Sequence, residues 1–372
     1  MNTKKNTSAT VKTALLCVAA LACVLALLIL VPSSPALLVD EPTILLSMNT
    51  GHVNQWDEPV LLLVTGYSVC IAAGAALAML CTALLGRLRK FNFTASLGLA
   101  LMSGAFAFVC SRVLYCALRW SYIINDLCGN WTFPVELWQG GYTMYGAIFG
   151  GILGAFVWSR ICRKRFFAAM DILVPGMLLL IAAGRFGEMF TSQGMANYRA
   201  AEALNMLPFS FIGEWGDPNL ALYAYEALIA AVALAVSGVM LLRRAPMGRV
   251  AETGLAIVSA YQVMMESLRG DELIKFGFVR LNMIAATALL VAIIVPRIVR
   301  CVKQRGWTTW QILRIVLLLL GAGVVICVEF ALDGKIKLPG VNNTMLFAAD
   351  ALAVTGMMLS VLIADGRKKE VV

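Results

Sequence analysis

The chain has 372 residues, of which 60% are hydrophobic and only 14% charged, and its formal net charge is +9. Soluble domains run at about 45 to 50% apolar and about 25% charged, so an ordinary soluble enzyme is excluded. The basic residues lie in short segments between apolar runs, a pattern that records membrane orientation and argues against a nucleic-acid partner.

Crossing a bilayer core of about 30 Å takes about 20 helical residues. Ten runs meet that length, at 13–31, 60–85, 95–116, 140–158, 172–190, 220–242, 250–268, 281–299, 310–330 and 345–364. The fold class expected is all-α, a polytopic membrane protein of about ten spans. The first run follows Lys4, Lys5 and Lys12 and passes Cys23 without a break, which fits an uncleaved anchor better than a secretory signal. The segment 32–59 carries Asp40, Glu41, Asp57 and Glu58 and no Lys or Arg, and so reads as an acidic outer loop closing an N-terminal unit, 1–59. A core would then occupy 60–300, and two additional helices 301–372.

Alternation of basic loops supports this count. Twenty of the 30 Lys and Arg residues fall on one side, in clusters such as Arg87, Arg89 and Lys90 or Arg367, Lys368 and Lys369, against seven on the other. Both termini are therefore expected in the cytoplasm. Of ten cysteines, Cys17, Cys23, Cys70, Cys81, Cys110, Cys116 and Cys327 fall inside apolar runs and read as small buried hydrophobes. His52 is the only histidine, and zinc-type Cys/His spacing is missing, so neither a Ser-His-Asp triad nor a zinc site is expected.

Charge inside a bilayer is costly, so each intramembrane ionisable group is a functional candidate. With the orientation above, Arg112, Arg185, Glu188, Glu226, Glu266 and Arg269 all fall near outer helix ends, together with Tyr142 and Tyr145. Arg185 and Glu188 are spaced i,i+3, as are Glu266 and Arg269, and Gln262 and Glu266 are spaced i,i+4, so each set shares a helix face. The bland alternative is that they are self-contained ion pairs. Arg112 has no acidic residue within a turn, which points to an anionic ligand such as a lipid phosphate. Gly146, Gly150 and Gly154 recur at four-residue spacing, a pattern for close helix packing, whereas Gly140 and Gly141 at the mouth of the span permit positive φ or close approach to a ligand.

Taken in order, several segments resemble the prolipoprotein diacylglyceryl transferase family of seven-span bacterial membrane enzymes. They are Arg112-Val113-Leu114-Tyr115, the glycine-rich stretch from Gly140-Gly141 to Gly150-Gly151, Gly184-Arg185-Phe186-Gly187, Tyr225-Glu226, and Glu266-Ser267-Leu268-Arg269-Gly270-Asp271. The resemblance covers about 60–299. Departures are specific: Glu188 follows Gly187 where the family continues with Asn or Cys, Gln193 stands where some members have Glu, Gln262 replaces a family Arg, and Tyr145 stands where some have His.

The resemblance implies transfer of the diacylglyceryl group from phosphatidylglycerol to the lipobox cysteine thiol of a prolipoprotein at the outer leaflet of the bacterial cell membrane. Glycerol phosphate would be released, and no cofactor or metal is called for. The catalytic set implied is Arg185, Glu188, Glu266, Arg269 and Tyr145, and the substrate-binding set is Arg112, Tyr115, Gly140, Gly141, Gly184, Gln193, Glu226 and Gln262. Arg185 and Arg269 would stabilise the leaving phosphate, with Arg112 assisting in position or structure. Glu188, Glu226, Glu266 or Tyr145 would accept the thiol proton. The alternative is an altered paralogue that binds an anionic lipid or lipid-linked ligand without turnover. A transporter would show polar residues at the midplane and broken helices in matching halves, and the sequence offers little of either.

Overall fold

The computed structural model describes residues 2–32, 43–53, 59–125, 131–191, 193–200, 202, 205–212, 216–270, 275–276, 279–307, 309–332, 335–336 and 339–362. Asp40, Glu41, Asp57, Glu58, Asp271, Lys337 and the Arg367 to Lys369 cluster lie outside the described residues. The chain is an all-α membrane protein folded as two compact units, 1–251 with 270–274, and 252–269 with 275–372.

The first unit holds α1 (Asn2–Leu30), α2 (Gly66–Leu85), α3 (Phe93–Leu118), the short α4 (Trp120–Asn125), α5 (Met144–Ile161), α6 (Phe166–Gly187) and α7 (Leu222–Leu242). Helix α1 runs through Cys23 unbroken. Two expectations about helix starts are corrected. The run expected from residue 60 begins as a strand, β2 (Pro59–Thr65), antiparallel to β1 (Ile44–Val53) within the segment expected to be loop. β-Branched Val60, Val64 and Thr65 favour the extended form, and Thr65 then caps α2 through a reciprocal exchange with Ser68. Likewise α5 starts at Met144 and not at residue 140, because Gly140 and Gly141 take φ of +76° and +79°, outside the helical region.

Small residues set the packing. Along α5 the glycine stripe lies against the α3 backbone: a methyl group on Gly150 would stand 2.4 Å from the Phe106 carbonyl oxygen, and one on Gly154 2.7 Å from the Ser103 Cα. On the α2 and α6 pair the same holds for Gly74 against Ala183 and Gly176 against Ala78. Between lipid-facing helices there is little hydrophobic drive, so this close approach supplies dispersion contact instead. Cys116 is buried; Cys70, Cys81 and Cys110 are half-buried, and Cys17, Cys23 and Cys327 are exposed on outward helix surfaces, so the reading of all seven as buried holds only in part. An apolar side chain is at no disadvantage facing lipid.

At the end of this unit that carries the basic turns, Asp171 of α6 ties three segments together. Its carboxylate accepts from Arg89 Nη2 at 2.7 Å and from the backbone N–H groups of Gly248 and Ala251 at 2.9 and 3.1 Å, while Arg89 also donates to the Ala245 carbonyl. Between α6 and α7 a three-stranded antiparallel sheet, order β3 (Met195–Arg199), β5 (Pro218–Ala221), β4 (Ser210–Ile212), feeds directly into α7.

The second unit contains most of α8 (Arg249–Leu268), the two-residue strands β6 (Lys275–Phe276) and β7 (Val279–Arg280), α9 (Leu281–Arg305), α10 (Thr309–Leu332) and α11 (Asn343–Leu362). Polar bonds join its helices: Tyr261 of α8 meets Thr355 of α11 at 3.0 Å, and Ser267 donates to Glu329 of α10. Among the described residues eight helices are long and apolar enough to cross a membrane, against the ten expected. Two fall short for identifiable reasons. Helix α8 carries Glu252, Thr253, Ser259, Gln262 and Glu266, and the apolar part of α11 spans only Met345–Leu359.

Asp171→Ala removes the acceptor for Arg89 and for two backbone donors, and is expected to lower stability by about 3 kcal/mol or more. Loss of monodisperse protein after heating in detergent, followed by size exclusion, measures it; an unchanged midpoint would show that the tie contributes nothing.

Candidate active site

Two clusters in the first unit and one in the second gather the residues singled out from sequence. The first cluster is ionic. Arg185, in the last turn of α6, lies with Nη1 2.6 Å from Glu188 Oε1 and 3.2 Å from Glu226 Oε2. Glu188 follows α6 in a one-turn 3-10 segment, Glu188–Phe190, and Glu226 projects from the second turn of α7. All three side chains are buried. The i,i+3 pair read from the sequence is thus present, and α7 adds a second carboxylate that no local spacing predicts. Arg185 Nη2 points at the Met144 sulfur, 3.3 Å away at the start of α5, where Tyr145 is 1% exposed.

What brings α7 to α6 is a short segment around Gly194. Its φ is +70°, its carbonyl accepts from the Tyr223 N–H at 3.0 Å, and a methyl group there would stand 2.6 Å from Glu188 Oε2. Only glycine allows both the left-handed backbone and the carboxylate at that distance. Gln193, just before it, is buried, with its N–H bonded to the Thr191 hydroxyl, and Thr191 donates in turn to the Glu188 carbonyl. Met144 and Gly194 were not singled out from the sequence; an isolated thioether and a lone loop glycine give no signal there. Gly184 takes a different place, packed against Ile71 of α2.

The second cluster answers what Arg112 binds. Its three guanidinium nitrogens donate to five backbone carbonyls: Nε to Pro134, Nη1 to Gly140 and Gly141, and Nη2 to Phe133 and Glu136. The group also lies over the rings of Phe133 at 4.5 Å, Tyr142 at 5.7 Å and Tyr115 at 6.0 Å. The expectation of an anion as its partner gives way here, because carbonyl oxygens occupy the fork. Arg112, Tyr115, Gly140 and Gly141 together form a clasp that holds the loop ahead of α5. Gly141 is required by contact as well as by φ, since a methyl group there would stand 2.5 Å from the Tyr115 ring and 2.7 Å from Arg112 Nη1. The Tyr142 hydroxyl shares its proton between the Leu137 and Leu30 carbonyls, at 2.7 and 2.9 Å, and burial pushes its acidity well below that of a free phenol.

In the second unit, Glu266 is fully buried and its Oε1 accepts from Gln262 Nε2 at 2.8 Å and from Asn282 Nδ2 at 3.0 Å. Its other oxygen has no hydrogen-bond partner among the described residues. Arg269 is buried, and its carbonyl accepts from Arg280. Asn282, on the first turn of α9, was missed because its spacing to Glu266 crosses a loop and follows no helical period.

Chemically, the ionic cluster sets a buried guanidinium against two carboxylates that come from different elements. A buried cation next to a proton acceptor suits a reaction in which a nucleophile loses a proton and an anion departs.

A family model described as prolipoprotein diacylglyceryl transferase matches residues 60–299. Among relatives named phosphatidylglycerol–prolipoprotein diacylglyceryl transferase, that of Streptococcus equi subsp. zooepidemicus is 26% identical over 253 residues, covering 66% of this chain and 93% of that enzyme. The Listeria monocytogenes serotype 4a enzyme is 27% identical over 249 residues, covering 64% of this chain and 86% of its own. For the enzyme of Limosilactobacillus reuteri the figures are 26% over 253 residues, 65% and 88%. With well over half of its length matched by that model, the chain belongs to the prolipoprotein diacylglyceryl transferase family, a family of membrane transferases.

Proposed function

We propose that the protein transfers the diacylglyceryl group of phosphatidylglycerol to the lipobox cysteine thiol of a prolipoprotein, at the outer leaflet of a bacterial cell membrane. The observation that carries the reading is the buried Arg185 held between Glu188 and Glu226. In the reaction the thiol gives its proton to a carboxylate of this cluster, and the thiolate attacks the glyceryl carbon that bears the phosphate. A carbon–sulfur bond forms, the carbon–oxygen bond breaks, and the electron pair leaves on glycerol phosphate. Arg185 takes the developing phosphate charge through Nη2, where the Met144 thioether is a weak acceptor that a phosphate oxygen displaces. From the family resemblance alone, Glu266, Arg269 and Gln262 of the second unit are also assigned to the reaction, as is Tyr145 at the start of α5. Arg112 and Tyr115 act as positioning residues that fix the Gly140-Gly141 loop. Exterior placement is supported by the excess of Lys and Arg in the opposite set of turns, which also puts both termini in the cytoplasm.

Purified protein given labelled phosphatidylglycerol and a lipobox peptide is expected to yield the lipidated peptide by mass. Arg185→Ala, assayed on the fraction that stays monodisperse because two buried carboxylates lose their partner, should lower that yield per molecule by about 10²-fold or more; full activity in the variant would remove Arg185 from the mechanism, and bound lipid without product in the wild type would favour a non-catalytic lipid-binding paralogue.

Gln262→Arg sets a guanidinium one helical turn from Glu266 and adds the positive charge found at this place in the family. Turnover is expected to rise several-fold, as measured by initial rates at saturating lipid. A fall would mean that the amide bond to Glu266 is itself needed.

Because Arg112 is engaged by carbonyls, Arg112→Lys should loosen the loop before it weakens lipid binding. Faster hydrogen exchange across 133–141 with an unchanged lipid KM and a lower kcat is the expected result, whereas a raised KM alone would mark a direct lipid contact.

A further inference from the structure

The first unit carries an apolar hairpin, β1 with β2, whose β1 strand is exposed along its whole length. Nine of the ten β1 residues are exposed. Ser47 and Met48 pair in regular register with Leu63 and Leu62, so their side chains point to opposite faces, and both are exposed. Neither face of β1 is therefore buried. Leu45 is 60% exposed, Leu46 53% and Val53 62%, and Ile44 and Leu61 are exposed as well. Among the described residues the sheet has two strands, so β1 keeps one edge whose backbone groups face no other strand. A two-stranded ribbon by itself is marginally stable in water, and an exposed apolar edge is a template for a further strand.

The base of this hairpin is tied to the turn that carries Glu188. Thr43, just before β1, donates its N–H to the Phe190 carbonyl at 2.9 Å, and its own carbonyl accepts from the Gly66 N–H at 3.0 Å. Phe190 closes the 3-10 segment that begins at Glu188, and a methyl group on Gly66 would stand 2.5 Å from the Phe190 ring. Thr65, the last residue of β2, donates its hydroxyl to the Pro32 carbonyl at 2.5 Å. The ribbon is thus fixed at one end beside a carboxylate of the ionic cluster.

Two needs identify the occupant. The side chains call for apolar contact, and the open edge calls for hydrogen bonds. Lipid tails meet the first and fail the second, since nothing in hydrocarbon pairs with backbone N–H and C=O groups. An extended polypeptide meets both, its backbone adding a strand and its side chains lying on the exposed leucines. A second copy of the hairpin would also pair, but that gives no reason for its base to sit beside Glu188. An acceptor protein gives one, because its cysteine thiol must reach that carboxylate with the rest of its chain attached.

We propose that the open edge of β1 binds, as an added strand, the extended segment that follows the acceptor cysteine of the prolipoprotein. The identity of that peptide rests on the transferase reading. Ile44–Val53 precede the family match, which begins at residue 60, so this recognition element lies outside the matched region.

Full-length protein with p-benzoylphenylalanine in place of Leu46 is irradiated in micelles containing phosphatidylglycerol with either of two lipobox peptides. One ends at the cysteine, and the other continues for about six residues, the usual length of a strand. Crosslinking of the longer peptide in preference to the shorter is expected. In parallel, wild type should show a KM about tenfold lower for the longer peptide, an advantage that L45S/L46S loses. Crosslinks to lipid alone, or between two protein chains alone, would overturn the proposal in favour of those occupants. Turnover of both peptides with equal KM and no peptide crosslink would overturn it while leaving the transferase reading intact. A crosslink to the longer peptide without turnover would uphold the docking edge and set aside the transfer reaction. Should L45S/L46S misfold, the crosslink in the otherwise unaltered chain decides.

Discussion

A guanidinium buried in an apolar bundle must have its donors satisfied, and in this protein Arg185 is met by two carboxylates from two directions. The Glu188 pairing follows from i,i+3 spacing at the end of α6, whereas Glu226 arrives through the strands before α7 and the left-handed Gly194, which bring that helix to the same place. The ionic cluster therefore requires the loop, and the loop requires glycine. Removing either partner would leave a charge where water cannot reach it, an unfavourable state that keeps the geometry narrow.

The two arginines of the matched segments are used in opposite ways. Arg112 is saturated by main-chain carbonyls and sandwiched by aromatic rings, so its role is to give the loop before α5 a fixed shape. Arg185 is shared between side chains, with one nitrogen facing a weakly accepting sulfur. Carbonyl bonds hold a cation without compensating its charge, whereas carboxylates compensate it.

In both units, polar contacts decide which helices belong together where apolar burial does not discriminate. Asp171 with Arg89, Gly248 and Ala251 ties the basic turns of the first unit, and Tyr261 with Thr355 and Ser267 with Glu329 tie α8 to α11 and α10 in the second. Lipid tails solvate leucine as well as another helix does, so specificity falls to hydrogen bonds and to glycine and alanine contacts.

The sequence by itself determined the membrane class, the approximate spans, the Arg185–Glu188 pairing and the packing stripe of Gly146, Gly150 and Gly154, because each follows from length, hydropathy or helical period, all of which are local. Tertiary structure alone decided that residues 59–65 form a strand before α2, that Arg112 spends its donors on carbonyls, and that Glu226, Met144 and Gly194 share one site with Arg185. It also decided that Glu266 meets Asn282 across a loop. These depend on distances between residues far apart in the chain, which no period encodes and which only the packed helices and their connecting turns fix.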